Sequence, residues 1–212
     1  MKYKYNKEEA KHLFFTSDTH FDHANIIRFC KRPWSTAEEM NEALVERWNK
    51  KVGPNDIVFH LGDFCFGGSA EWKKWREKLN GHIILIRGNH DRKMSSTMEV
   101  LFDEVLYQAQ LEIDGRSVYL NHYPFLTYGG CWRKEKSAVW QLFGHCHSKD
   151  GIKGADSGRL KYLFPTQYDV GVDNNNYEPV SWEEIKNIME ASKKESVLSV
   201  WKKKLAKLIL FK

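Results

Sequence analysis

Five short segments of this 212-residue chain each place oxygen or nitrogen donors directly after an apolar run of strand type. Leu13-Phe14-Phe15 precedes Asp18-Thr19-His20, and Ile57-Val58-Phe59 precedes Gly62-Asp63. Ile83-Ile84-Leu85-Ile86 precedes Gly88-Asn89-His90-Asp91. Val118-Tyr119-Leu120 precedes His122, and Val139-Trp140-Gln141-Leu142-Phe143 precedes Gly144-His145-Cys146-His147. A D-x-H triplet or a GD pair is common by chance, so no single segment carries weight. Together they constrain the fold. In a layered α/β protein, donors at strand ends converge on one sheet edge, where ligands bind. Carboxylate, imidazole and amide groups gathered there suit one or two divalent metals.

Side chains alternate along an extended segment. This predicts that Asp18 and His20 project to one side, as do His145 and His147, with Thr19 and Cys146 turned elsewhere. Asp63 has two carboxylate oxygens and is the ligand type able to bridge two cations. Asn89 offers a neutral carbonyl oxygen and His122 an imidazole. A mixed nitrogen and oxygen set without thiolate favours manganese, iron, zinc or similar ions over calcium or an iron–sulfur cluster.

The ordered series DxH, GD, GNHD, H and GHxH, spanning residues 18 to 147, resembles the calcineurin-like metallophosphoesterase superfamily. The stretches TSDTHFDHANII and DVGVDNNNYEPVSWEEI are similar to its compact bacterial and phage branch. The resemblance implies a four-layer α/β/β/α sandwich with two packed mixed β-sheets and a metal site at the C-terminal ends of strands. It implies two divalent metal ions, manganese foremost, with iron, zinc, nickel or cobalt as alternatives. Asp18, His20 and His147 would hold one ion, Asn89, His122 and His145 the other, and Asp63 would bridge. The expected reaction is hydrolysis of phosphomonoesters or phosphodiesters through a dinuclear metal-activated hydroxide. His90, beside Asn89, is placed to protonate the leaving oxygen as a general acid, and Asp91 is expected to orient that imidazole and keep it charged. His23 and Asn25, just after the first ligand pair, and Arg133, in the loop after His122, are candidate substrate contacts.

Departures from the family's subgroups narrow the reading. Gly62-Asp63-Phe64-Cys65-Phe66-Gly67 lacks the acidic-Arg-Gly continuation of protein Ser/Thr phosphatases. Phe66 stands where purple acid phosphatases carry a metal-binding tyrosine, so a charge-transfer Fe(III) site is not expected. A nuclease acting on nucleic-acid phosphodiesters stays open, as does a metal-free interaction scaffold, although the complete donor set disfavours the scaffold. The implied partner is a phosphate ester, with nucleotides and nucleic acid among the candidates. His12, His60 and His82 fall outside the motifs and are read as structural. Arg28 and Arg32 are read as a solvated helix face.

The order of elements is legible. A strand at about 12–17 leads to a helical stretch from Asn25 to Lys31. Ser35 or Thr36 then caps a longer helix with Glu38 and Glu39 in its first turn, ending at Gly53-Pro54. A strand to Asp63, a Trp-rich helix from about Ala70 to Leu79 and a strand to Arg87 follow. Gln110–Ile113 and Ser117–Leu120, joined by Asp114-Gly115, read as a hairpin. Strands at about 139–143 and 168–172 precede a helix from about Ser181. Eight tryptophans and 14% aromatic residues exclude a disordered chain. The N-terminus lacks a signal-peptide pattern and no run is long enough to span a bilayer, which predicts a cytoplasmic protein. Cys30, Cys65, Cys131 and Cys146 form no CxxC pair and are expected to be reduced.

Net charge is +5, but residues 193–212 hold seven lysines against one glutamate, a local +6 that leaves the body at −1. Overall basicity is therefore poor evidence for nucleic-acid binding. Two regions are expected: residues 1–192 as the metallophosphoesterase domain and 193–212 as a basic amphipathic C-terminal helix. In that tail Val197, Val200, Trp201, Leu205, Leu208 and Ile209 recur at helical spacing. Docking on its own domain or homodimer formation is expected over membrane binding. Deleting residues 193–212 should change solubility or chromatographic mass and leave the metal content intact. Anionic-vesicle binding by the full chain, lost on truncation without a mass change, would make the tail a membrane anchor instead.

Overall fold

The computed structural model describes residues 2–131, 133, 139–148 and 163–191, so the expected tail helix at 193–212 lies outside the described residues. Among these, ten strands form two mixed five-stranded sheets. The first has the order β10 (Val180–Ser181), β2 (Leu13–Thr16), β3 (Ile57–His60), β4 (His82–Ile86), β5 (Glu104–Leu106). Its four central and far strands are parallel, and only β10 runs antiparallel. The second has the order β1 (Lys2–Tyr5), β6 (Gln108–Ile113), β7 (Arg116–Asn121), β8 (Trp140–Phe143), β9 (Gln167–Asp169).

Register decides which side chains meet. Phe14, Val58 and Ile83 are cross-strand partners and share one face of the first sheet. That face is covered by α1 (Ala24–Phe29), α2 (Ala37–Lys51), α3 (Ser69–Lys78) and α4 (Ser96–Glu99), through Ile26, Met40, Leu44, Trp48, Trp72, Trp75 and Met98. Phe15, Phe59 and Ile84 make the next row and point the other way. They join Leu111, Val118, Leu120, Trp140 and Leu142 of the second sheet in a core between the sheets. The helix at 182–191 closes this core with Trp182, Ile185 and Met189, and the Trp182 ring packs against Phe15 and Trp140. Two packed mixed sheets flanked by helices are the sandwich the sequence implied.

Local chemistry explains most boundaries. Thr36, not Ser35, caps α2, and Glu39 completes a capping box with it. The β6–β7 hairpin turns through Asp114 and Gly115, both at positive φ (48° and 74°), as its two-residue loop demands. The stretch expected as a strand over 168–172 is extended only to Asp169 and then enters a 3-10 turn at Val172–Asn174. The short edge strands β1, β5 and β10 were not expected, because two to four residues carry too little periodicity to register.

One buried tie joins distant parts of the chain. Arg32, expected on a solvated helix face, is only 4% exposed. Its Nε and Nη2 each donate to Asp173 at 2.8 Å, and it also donates to the carbonyls of Asp18 (2.7 Å) and Thr19 (2.9 Å). The chain turns inward at Lys31, whose φ is 51°, directly after the short α1, and this carries the next side chain into the core. Burial alone would raise the Asp173 carboxyl, but Arg32 and His147 outweigh it and hold its pKa at about 2. Arg32→Met should therefore cost about 3–5 kcal/mol in urea unfolding, the penalty for an uncompensated buried charge. Arg32→Lys should recover only part, because an ammonium cannot make the bidentate grip. A loss below about 1 kcal/mol for Arg32→Met would show that the pair is structurally idle.

Candidate metal centre

Strands β2, β3 and β4 of one sheet and β7 and β8 of the other end on the same side, and the donor segments follow them directly. Beyond the strands the loops bond to one another. Asp18 N donates to Gly62 O at 2.9 Å, His20 N to Asp63 O at 3.0 Å, and Gly144 N to His122 O at 3.0 Å. Close approach needs glycine at two of these corners. A Cβ on Gly88 would lie 2.2 Å from Asp63 Oδ1, and one on Gly144 would lie 2.4 Å from Asp18 Oδ2.

Two donor clusters result. Asp18, His20 and His147 present ligand atoms within 4.8 Å of one another, and so do Asp63, His122 and His145. Asp63 Oδ2 connects them, 3.6 Å from His20 Nε2 and 3.5 Å from His122 Nε2. Asn89 Oδ1 faces His122 Nε2 at 2.9 Å. All seven residues expected as ligands thus meet at one place. Alternation along an extended strand is not how they do so. Asp18, His20, Asp63, His145 and His147 all have positive φ, between 43° and 68°. Asp18 and His20 share a cluster, whereas His145 and His147 face different ones, although all four have left-handed backbone.

The tautomers can be read from the outer hydrogen bonds. Leu61 O, which can only accept, lies 2.7 Å from His122 Nδ1, so that nitrogen carries the proton. In the neutral ring Nε2 then bears a lone pair, aimed at the oxygens of Asn89 and Asp63. His147 is fixed likewise: Nδ1 lies 2.6 Å from Asp173 Oδ2, and Nε2 points toward Asp18 Oδ1 at 3.6 Å. Asp18 Oδ1 and His20 Nε2 are buried without hydrogen-bond partners. Lone pairs facing one another in a buried place repel, and a cation among them relieves this. Burial pushes the Asp63 carboxyl up to about 7, although His122 opposes it. Burial and the nearby charges of His147 and Arg32 hold His20 well below the usual imidazole range. For His147, Asp18 and the hydrogen bonds to Asp173 and Cys30 outweigh burial and raise it, which favours the protonated ring until an ion takes the place of the Nε2 proton. The donor set fits divalent metal.

The remaining expected residues divide. His90 is exposed at the rim, its ring centroid 5.3 Å from that of His20. Asp91 does not orient it by hydrogen bonding. Its buried carboxylate accepts the backbone N–H groups of Gly88 (2.8 Å), Asp63 (2.8 Å) and Phe64 (3.2 Å) and so fastens the two ligand loops together. Its charge favours the protonated His90 ring, but burial outweighs this and lowers that imidazole's pKa. His23 is buried against the centre, with Nδ1 3.2 Å from His20 Nδ1, and burial lowers its pKa to about 4. It buttresses a ligand instead of facing solvent. Asn25 is exposed in the first turn of α1, and Arg133 is exposed after the Gly129-Gly130 pair.

Sequence reasoning missed Asp173, Asp169 and Arg32. Asp173 orients His147, while Asp169 accepts Ser148 N (3.0 Å) and Gly171 N (2.8 Å) behind the last motif. The signal for the two aspartates was the DVGVDNNN stretch, and Asp173 also forms a third donor group with Cys30 and His147, their ligand atoms within 4.8 Å of one another. Tyr123, the first residue of the loop after His122, forms a wall of the centre. Its ring lies edge-on to His122 and His145, with centroids 5.0 and 4.8 Å away. His12, His60 and His82 have structural partners, in Asp56, Thr19 and Asp103 respectively.

Comparison with known proteins agrees with this geometry. The model of the calcineurin-like phosphoesterase family matches residues 11–197. An uncharacterised protein of Methanocaldococcus jannaschii is 35% identical over 186 residues, covering 85% of this chain and 93% of that one. The gene 66 protein of Mycobacterium phage D29 is 29% identical over 184 residues, covering 76% and 87%. A crystal structure of a protein of unknown function from Aquifex aeolicus superposes with a TM-score of 0.63 at 25% identity, covering 83% of this chain and 98% of that one. No helix among the described residues is long and apolar enough to cross a membrane. With matched sequence over most of its length and the family's donor series gathered at one sheet edge, the chain belongs to the calcineurin-like phosphoesterase family.

Proposed function

We propose that this protein hydrolyses phosphate esters at a dinuclear metal centre. Asp18, His20 and His147 would hold one divalent ion, and Asn89, His122 and His145 the other. Asp63 would serve both, and manganese is the first candidate. The observation that carries the reading is the position of Asp63 Oδ2 between His20 Nε2 and His122 Nε2, at 3.6 and 3.5 Å. When bound, the ions supply Lewis acidity toward phosphoryl oxygens and an activated water.

The chain's own residues do the rest. Asp173 and Leu61 O hold the imidazoles of His147 and His122 in the tautomer that leaves Nε2 unprotonated. Asp91 fixes the loops that carry Asp63 and Asn89, and it is a positioning residue. His90, exposed beside the centre, donates a proton to the leaving oxygen. A cytoplasmic location is part of this proposal, supported by the free, buried cysteines, which fit a reducing compartment.

Asp63→Asn removes the shared charge. It should abolish hydrolysis of bis-p-nitrophenyl phosphate and lower bound manganese while circular dichroism stays unchanged. Full activity in this variant would refute the shared-ligand assignment. His90→Gln should retain the metal and slow hydrolysis of alkyl esters on the order of 10²–10⁴-fold. The loss should shrink for p-nitrophenyl esters, whose leaving group needs little protonation. An equal loss across leaving groups of very different basicity would mean that His90 orients phosphate instead.

A further inference from the structure

Outward from Asn89 and His90 the surface opens into a pocket of about 420 Å³. Phe66, Trp72, Arg92 and Met94 supply much of its wall. The size falls within the range of small-molecule sites, roughly 300–1,000 Å³. Phe66 is the unusual member. It leaves 54% of its surface exposed although it adjoins a well-packed aromatic core. Its orientation is fixed on one side, where its ring stacks on His23 with centroids 4.1 Å apart and planes 10° from parallel. Its backbone is fixed too, by a 2.7 Å bond from Phe66 N to Phe21 O. The ring centroid lies 5.7 Å from that of His90. A rigid aromatic ring is thus held partly uncovered beside the proposed proton donor, with a thioether and an exposed guanidinium nearby.

The position assigns the occupant. A group that leaves with the proton of His90 departs on the His90 side of the centre, which is the side on which this pocket lies. A π-face and a thioether favour a flat heterocycle, and Arg92 favours an anionic or hydrogen-bond-accepting substituent. A sugar alcohol or a serine side chain would leave the aromatic wall uncovered. We propose that the pocket takes the nucleoside portion of the leaving group, so that the substrate is a nucleotide or nucleic-acid ester. This rests on the metal-centre reading above.

The test uses the full chain loaded with manganese and two ligands that cannot be hydrolysed: methylphosphonate, and the methylenephosphonate analogue of adenosine 5′-monophosphate. Calorimetry should show the nucleoside phosphonate binding at least about tenfold tighter, the scale of one base–aromatic stack. Phe66→Ala should erase most of that advantage. Phe66→Tyr should keep it, and Phe66→Leu should not, because apolar bulk without a π-face cannot stack. Methylphosphonate affinity and manganese stoichiometry should stay the same throughout. Equal affinity for the two phosphonates in the wild type, or an advantage that survives Phe66→Ala, overturns the nucleoside pocket alone. A wild-type chain that binds neither manganese nor iron, zinc, nickel or cobalt overturns the metal centre, and this inference with it.

Discussion

The structure depends on holding several lone pairs together out of water. Asp18 and Asp63 are buried carboxylates, and the Nε2 atoms of His20, His122 and His147 turn toward them. Bringing them so close needs left-handed backbone at five ligand residues, which costs an L-amino acid about 1–2 kcal/mol each. The surrounding loops offset this with a closed set of hydrogen bonds. Asp63 Oδ1 accepts His90 N, Asp18 Oδ2 accepts His145 N, and Asp91 collects three more backbone N–H groups. The two sheets act as the rigid base that over-determines these loops.

This division of labour explains what the sequence made legible. The parallel strands read clearly because each is a short apolar run ended by a turn signal, and the donor motifs read clearly because glycine marks their corners. Donor identity survived even though the alternation argument failed for His145 and His147. Convergence is set by strand order, while the direction of each side chain is set by φ beyond the strand end, and no residue pattern announces left-handed aspartate or histidine. Arg32 was misread for a related reason. A lone arginine after a short helix looks solvated unless its partner is known, and that partner, Asp173, lies 141 positions away. Edge strands of two to four residues are defined by the partners they pair with, not by their own periodicity.

The two sides of the centre differ in how they meet solvent. On the side of His147 the outer groups are charged and buried, so that imidazole is anchored by ionic contacts shielded from water. On the side of His122 the anchors are a backbone carbonyl and the half-exposed ring of Tyr123. His90 and Phe66 overhang from the loops after β4 and β3, the part of the rim least constrained by ion pairs. Both rim residues share their loops with expected ligands, Phe66 with Asp63 and His90 with Asn89, and His90 N donates to Asp63 Oδ1, so a change at the rim acts on the backbone that holds the donors.

The tie between Arg32, Asp173 and His147 has a consequence for biosynthesis. The donors of the first cluster lie at positions 18, 20 and 147, and the carboxylate that orients the last of them arrives only at 173. A nascent chain therefore exposes the DxH pair long before the residues that complete it have been translated. The early pair can offer an incoming ion two ligands at most, a weak and unselective grip. If these donors hold an ion as proposed, tight loading would follow synthesis of nearly the whole domain, and the ion would be selected by a folded cage and not by the first ligands to emerge from the ribosome.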